Sequence, residues 1–236
     1  MKTLNKKITI TTNIILVLVF SVVFAVSFFP ENSLPIYGGQ ELNAIYNGNR
    51  ENRKVSLMFN VYENTEVVNS IIDTLNNFGA KATFFVGGCW ADDNTKTLIR
   101  ILNSGHEIAN HGYFHKDHKN LNYEKNKEEI YNTHVVVKAL CGAEMNLFAP
   151  PSGSFSNNTL EVADALGYKV IMWSKDTIDW RDKDENKVIE RATKNISNGD
   201  LVLMHPKAHT LNALPKILEY YKSVGIKVVT VSDNLS

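Results

Sequence analysis

The chain has 236 residues, 44% of them hydrophobic and 21% charged, which is material for one domain with a sizeable core and excludes a disordered tail. Lys plus Arg and Asp plus Glu both number 25, so no overall positive field draws the chain to phosphate backbones, and nucleic acid is not an expected partner. Cys89 and Cys141 match neither a disulfide scaffold nor a CxxC metal motif, and their spacing does not say whether they pair.

The first element in chain order is apolar. Ile8 to Phe29 carries no charge, follows Lys2, Lys6 and Lys7, and is almost solidly hydrophobic from Ile14 onward. As a helix rising about 1.5 Å per residue it is long enough to cross a bilayer core of about 30 Å. The lysines predict a cytoplasmic N-terminus, and the small-residue cleavage candidate Ala25-Val26-Ser27 is weak, so residues 1–29 read as an uncleaved transmembrane anchor. Residues 30–53 are rich in Pro, Gly and Asn without periodicity and read as a linker. The folded domain is expected over 54–236, outside the membrane.

Beyond Lys54, short apolar runs alternate with helix-period segments. Strands are predicted at Val55–Phe59, Ala82–Val86, Glu107–Asn110, Leu147–Ala149, Lys169–Trp173, Leu201–Met204 and Lys227–Val231. Helices are predicted at Glu66–Phe78, Asn94–Asn103, Tyr123–Leu140, Ser156–Leu166, Glu185–Ile196 and Ala208–Ser223, with Gly79, Gly105, Gly142, Gly167 and Gly225 as stops. This β(αβ)6 rhythm calls for a parallel sheet with helices outside. Seven strands suit a barrel one short of the usual eight, with an open doubly wound sheet as the rival.

Asn60, His111, the segment Ala149-Pro150-Pro151-Ser152-Gly153, Asp176 with Asp179, and His205 all follow the C-terminal ends of predicted strands, where parallel α/β proteins place their sites. His111 and His115, spaced HxxxH, put two imidazoles within reach of one metal ion, and neutral imidazole suits zinc. Two ligands do not complete a centre, and by spacing alone histidines hydrogen-bonded in a loop are the more ordinary reading. Asp117 and His118 read as solvated; His106, His134 and His209 read as surface or helix-end residues. His205, closing LVLMH, has the placement of a general acid or base, and Asp176-Thr-Ile-Asp179-Trp180 offers carboxylates to tune it and an aromatic wall.

In this order the motifs resemble the NodB-homology polysaccharide deacetylases, carbohydrate esterase family 4, over roughly Lys54 to Asp233. The family's TFDDG falls on Met58-Phe59-Asn60-Val61-Tyr62, with KATFFV at Lys81 to Val86. The histidine pair after Gly105-His106-Glu107-Ile108 is His111 and His115. RPPYG corresponds to Ala149 through Gly153, DxxDW to Asp176 through Trp180, and LxH to Leu203-Met204-His205.

The resemblance implies a distorted (β/α)7 barrel, zinc or another divalent metal, and removal of N-acetyl groups from N-acetylglucosamine polymers such as peptidoglycan or chitin-like glycan. It also implies a cell-wall polysaccharide partner, and the extracytoplasmic face of a bacterial membrane as the location. It assigns His111 and His115 to the metal, His205 to the general acid, Asp179 to tuning it, and Pro151, Ser152, Gly153, Trp180 and Leu203 to the substrate, Ser152 through its backbone N–H.

Three positions depart from the family. Its base aspartate is Asn60, its metal-binding aspartate is Val61 and its arginine is Ala149. A neutral amide does not take a proton from water, and valine offers a metal nothing. Two functions follow: a divergent active deacetylase in which Glu63 or Asp176 supplies the missing carboxylate, or a non-catalytic glycan-binding domain. Retention of His111, His115, Asp179, Trp180 and His205 together favours the enzyme.

Overall fold

A computed structural model describes residues 42–236. The expected anchor over 8–29 and the linker up to residue 41 lie outside the described residues, and no helix among the described residues is long and apolar enough to cross a membrane.

The strands are β1 (Lys54–Val61), β2 (Thr83–Val86), β3 (Glu107–Asn110), β4 (Leu147–Phe148), β5 (Lys169–Val170), β6 (Lys175–Asp176), β7 (Leu201–Met204) and β8 (Lys227–Val228). All pair in parallel, in the order β5-β4-β3-β2-β1-β7-β6, with β8 against the start of β1. Read as a ring, that order is sequential and opens between β5 and β6; a doubly wound sheet would reverse at a switch point. The result is an α/β half-barrel of parallel strands.

The helices are α1 (Thr65–Asn77), α2 (Gly88–Asp93), α3 (Thr95–Asn103), α4 (Tyr123–Cys141), α5 (Asn157–Ala165), α6 (Glu185–Thr193), α7 (Ala208–Ser223) and α8 (Val231–Leu235). Alternation along β1 divides its side chains between two cores. Val55, Leu57, Phe59 and Val61 join the outer cluster with Val68, Ile71, Leu98, Leu214 and Ile217 of the helices. Met58 joins the inner cluster with Phe85, Ala109, Ala149, Ile171 and Leu201. Full burial of each large side chain contributes roughly 1.5–3 kcal/mol, so the helix layer is held chiefly by this outer stripe.

The structure corrects several boundaries. Residues 42–53, expected as part of the linker, lie in the same compact unit as the strands, and the chain entering β1 pairs at the end of β5 and just ahead of β7. Ile45 bridges Ile171 and Asn47 bridges Asp200, with Ile45 N–H donating to Val170 C=O at 2.8 Å and Met172 N–H to Ile45 C=O at 2.7 Å. An open parallel edge carries unpaired backbone groups, and Ile45 satisfies two of them, Val170 C=O and Met172 N–H. Val231 begins α8 instead of ending a strand, because the Thr230 hydroxyl accepts Asp233 N–H at 3.2 Å and caps a helix there. The short helix α2 and strand β6 have no periodicity to mark them in the sequence.

Candidate functional site

The register aligns the C-terminal ends of the strands. Val61 lies level with Val86, Val86 with Asn110, Asn110 with Phe148, and Phe59 with Met204. The next residues therefore emerge together, and a cavity of about 270 Å³ is lined by Asn60, Tyr62, His111, His115, Ser152, Trp173, Asp176, Trp180, Leu203 and His205. Eight of these were singled out in the sequence. Tyr62 and Trp173 were missed: Tyr62 sits where the family motif has glycine, and Trp173 was assigned to a strand. Asn60 lies within β1, not beyond it, and points inward by the alternation that sends Phe59 and Val61 outward.

His205 is fixed from two sides. Its Nδ1 donates to Asp179 Oδ1 at 2.7 Å, and its backbone N–H donates to Asp179 Oδ2 at 2.7 Å. Thr210 on α7 donates its hydroxyl to the same Oδ2 at 2.7 Å, and His209 Nε2–H donates to the Asp179 carbonyl at 2.8 Å. Burial pushes the Asp179 carboxyl up, but the bonds and charge of His205, then the Thr210 hydroxyl, outweigh it and hold the carboxyl below its ordinary value. Asp179 is 1% exposed, so it does not line the cavity but orients the residue that does.

His111 is buried, and its Nδ1 donates to Ala149 C=O at 2.7 Å. That bond fixes the tautomer, so Nε2 carries a lone pair, and Nε2 is buried without a partner. Burial, then the adjacent His115, pushes the His111 imidazole well below its usual range; burial likewise lowers His115. The two rings meet edge to face, 5.1 Å between centroids, and the Tyr62 ring lies 4.2 Å from that of His115. Burial, then Glu63, raises the Tyr62 phenol, so it offers no phenolate.

The segment carrying both histidines is tied to α4. Glu129 Oε2 accepts the N–H groups of Tyr113 at 2.9 Å and Phe114 at 2.8 Å, its Oε1 pairs with Lys116, and Asn126 Oδ1 accepts from His118 Nδ1 at 2.7 Å. Through these bonds His115 is held with φ 56°, a left-handed conformation that asparagine or glycine adopts more readily. His118 is wholly buried and His106 is 3% exposed, contrary to their expected solvation; His118 is anchored by Asn126, and His106 Nδ1 accepts Ala82 N–H at 3.3 Å. His134 is half-buried against the Tyr168 hydroxyl at 2.6 Å.

These residues do not fit a complete metal centre. The unpartnered His111 Nε2 is of the right chemistry, but Val61 packs in the outer apolar cluster, and no set of three histidine, cysteine or carboxylate side chains converges among the described residues. Of the candidate replacement carboxylates, Glu63 is paired with Lys207 and does not line the cavity, whereas Asp176 lines it, with Oδ1 accepting Ile178 N–H at 2.7 Å. Pro151 and Gly153 shape the wall without lining it. Gly153, at φ +65°, lets the Trp173 ring approach so closely that a Cβ would lie 2.6 Å from it. Cys89 and Cys141 are unpaired.

A family model described as polysaccharide deacetylase matches residues 47–171. The protein YlxY of Bacillus subtilis is 32% identical, over 80% of this chain and 59% of that protein. A peptidoglycan-N-acetylglucosamine deacetylase of Bacillus cereus is 29% identical over 79% of this chain and 70% of that protein. Among solved structures, a CE4 family pseudoenzyme from Bacillus anthracis superposes with a TM-score of 0.80 at 32% identity, covering 83% of this chain and 69% of that one. A mutant of that pseudoenzyme with restored enzymatic activity gives a TM-score of 0.80 at 30% identity, covering 83% and 72%.

Proposed function

The chain belongs to the polysaccharide deacetylase family, and within it we propose that this member binds cell-wall glycan without hydrolysing its acetamides. The observation that carries this reading is the end of β1. Asn60 stands in the cavity at the position the family gives to its base, and the next residue, Val61, is wholly buried among helix side chains. A neutral amide is a negligible base, and an apolar neighbour offers no ligand. What remains is a cavity whose lining combines the rings of Tyr62, Trp173 and Trp180 with polar side chains, suited to the apolar faces and hydroxyl edges of sugar rings.

Peptidoglycan is the proposed glycan, because the relatives named for a substrate are peptidoglycan deacetylases. The apolar stretch from Ile8 to Phe29 supports placement on the outer face of a bacterial membrane, where a tethered domain reaches wall glycan without diffusing away.

A second reading, residual deacetylation, draws on the intact His205–Asp179 pair and on Asp176 in the cavity. One experiment separates the two: acetate release from peptidoglycan and chito-oligosaccharides with added zinc or cobalt, beside calorimetric glycan binding in chelator. Binding that survives chelation with no acetate released supports the first reading. Acetate release that His205→Ala abolishes overturns it.

A further inference from the structure

Among the polar groups lining the cavity, two buried acceptors lack donors, and the imidazole of His205 is already paired with Asp179. His111 Nε2 is a buried lone pair, fixed as such because Nδ1 donates to Ala149 C=O. Asn60 Oδ1 is also buried without a partner. Asp176 lines the same cavity, and only its Oδ1 is engaged, by Ile178 N–H. Neither lysine nor arginine is among the lining residues. Of the cations on the flanking loops, Lys207 is paired with Glu63, and Arg181 is paired with Asp182 at 3.0 Å while its charge also acts on Asp176 from outside the lining. Around these acceptors stand the rings of Tyr62, Trp173 and Trp180.

Two unpaired acceptors and a carboxylate need donors from the ligand, and buried acceptors left empty are costly. An acetamide supplies one N–H but also a carbonyl oxygen and a methyl group. A hydroxyl supplies one donor. A protonated primary amine supplies three donors and the positive charge that both a carboxylate and aromatic faces attract.

We propose that this cavity is a site for the ammonium group of a de-N-acetylated amino sugar, so that the chain recognises glucosamine-type units in a glycan rather than N-acetylglucosamine. The inference rests on the glycan-binding reading and narrows its ligand. It also places the chain after a deacetylation: some other catalyst of that reaction class must generate the free amine that this cavity takes.

The test is calorimetry on the full chain in chelator with three oligosaccharides of equal length: glucosamine, N-acetylglucosamine and glucose oligomers, which differ only in an ammonium, an acetamide or a hydroxyl. The glucosamine oligomer is expected to bind at least tenfold more tightly than either of the others, and Asp176→Asn to remove that preference. Because the comparison is made on the unaltered chain, it does not depend on the variant folding. A preference for the acetylated oligomer, or equal affinity for all three, overturns the ammonium site and leaves glycan binding standing. A glucosamine preference that Asp176→Asn leaves intact overturns the role given to that carboxylate. No binding to any of the three overturns both the ammonium site and the glycan-binding reading.

Discussion

Asp179 grips His205 at two points: one carboxylate oxygen holds the ring Nδ1 and the other holds the backbone N–H of the same residue, each at 2.7 Å. The imidazole thus has neither a free tautomer nor a free torsion, although Asp179 itself never reaches the cavity. Two hydrogen bonds to one residue brace the cavity wall whether or not chemistry follows.

That grip has a pH signature. Asp179 is held below its unfolded value of about 3.9, so its stabilising contribution is fully present above that pH and is lost as pH falls through the lower folded value. Asp179→Asn is expected to lower stability at pH 7 by about 1–3 kcal/mol, since it replaces charge-assisted bonds in a buried site. The gap between wild type and variant in thermal melts should narrow as pH falls below about 4. A gap of constant size from pH 7 to pH 3 would contradict the assignment.

His106 predicts the opposite limb. Burial first, and the Lys81 charge second, lower its imidazole to about 4, although it touches nothing in the cavity. The unfolded chain takes up this proton near pH 6.5 and the folded chain only near 4, so stability drains as pH falls through that window. His106→Asn keeps an acceptor for Ala82 N–H and removes the proton. The unfolding free energy of the variant, from urea titrations, should fall less steeply between pH 6.5 and 4, by up to about 1.4 kcal/mol per pH unit, the slope of one proton. His111, His115 and His118 keep their own share of the slope in both chains, so identical curves would show that His106 is not buried neutral.

The two histidines that the sequence misplaced show where pattern reading stops. His106 and His118 carry no periodic signal, and their burial is decided by partners on other elements, Phe84 and Ala82 for the first and Asn126 on α4 for the second. The parallel rhythm was legible because hydrophobic runs and glycine stops recur, and the cavity was legible because strand ends share one face. Residues 45–47 were not, since a single-residue bridge has no period. Tyr62 and Trp173 escaped for a different reason: each is an aromatic beside a strand end, and alternation alone does not say whether such a ring turns to core or cavity.

Gly153 and Gly79 form a matched pair for testing the Trp173 wall. Both have positive φ, +65° and +63°, but a Cβ on Gly79 meets nothing within 4 Å, whereas one on Gly153 would lie 2.6 Å from Trp173 Cη2 and 3.0 Å from Met172 Cε. Gly79→Ala therefore carries only the backbone strain, about 1 kcal/mol, and Gly153→Ala adds a displaced indole on top of it. Only Gly153→Ala should shift the tryptophan emission and weaken glycan binding. Equal melting losses and unchanged emission in both would show that Trp173 is not packed against this turn.

The end of β1 gives the most direct test of the proposed loss of hydrolysis. Asn60→Asp alone places a carboxylate in the cavity but supplies no second ligand, and is expected to leave acetate release undetectable. Val61→Asp alone inserts an unpaired carboxyl into an apolar cluster at a wholly buried position, with an expected loss of about 3 kcal/mol. Joined, the two changes supply a base and a carboxylate that, by turning from the outer cluster to the cavity, would join His111 and His115 as a third ligand, the count a catalytic zinc site ordinarily needs. The double variant should then bind zinc near one ion per chain and regain melting temperature as zinc is added, because a ligand that binds only the folded state stabilises it by mass action. Acetate release should appear in that variant and not in either single one. Zinc uptake without acetate release would assign the remaining deficit to Ala149, where the family's arginine is lost, and no zinc uptake would mean that Val61 is turned too far outward for any carboxylate there to reach the imidazoles.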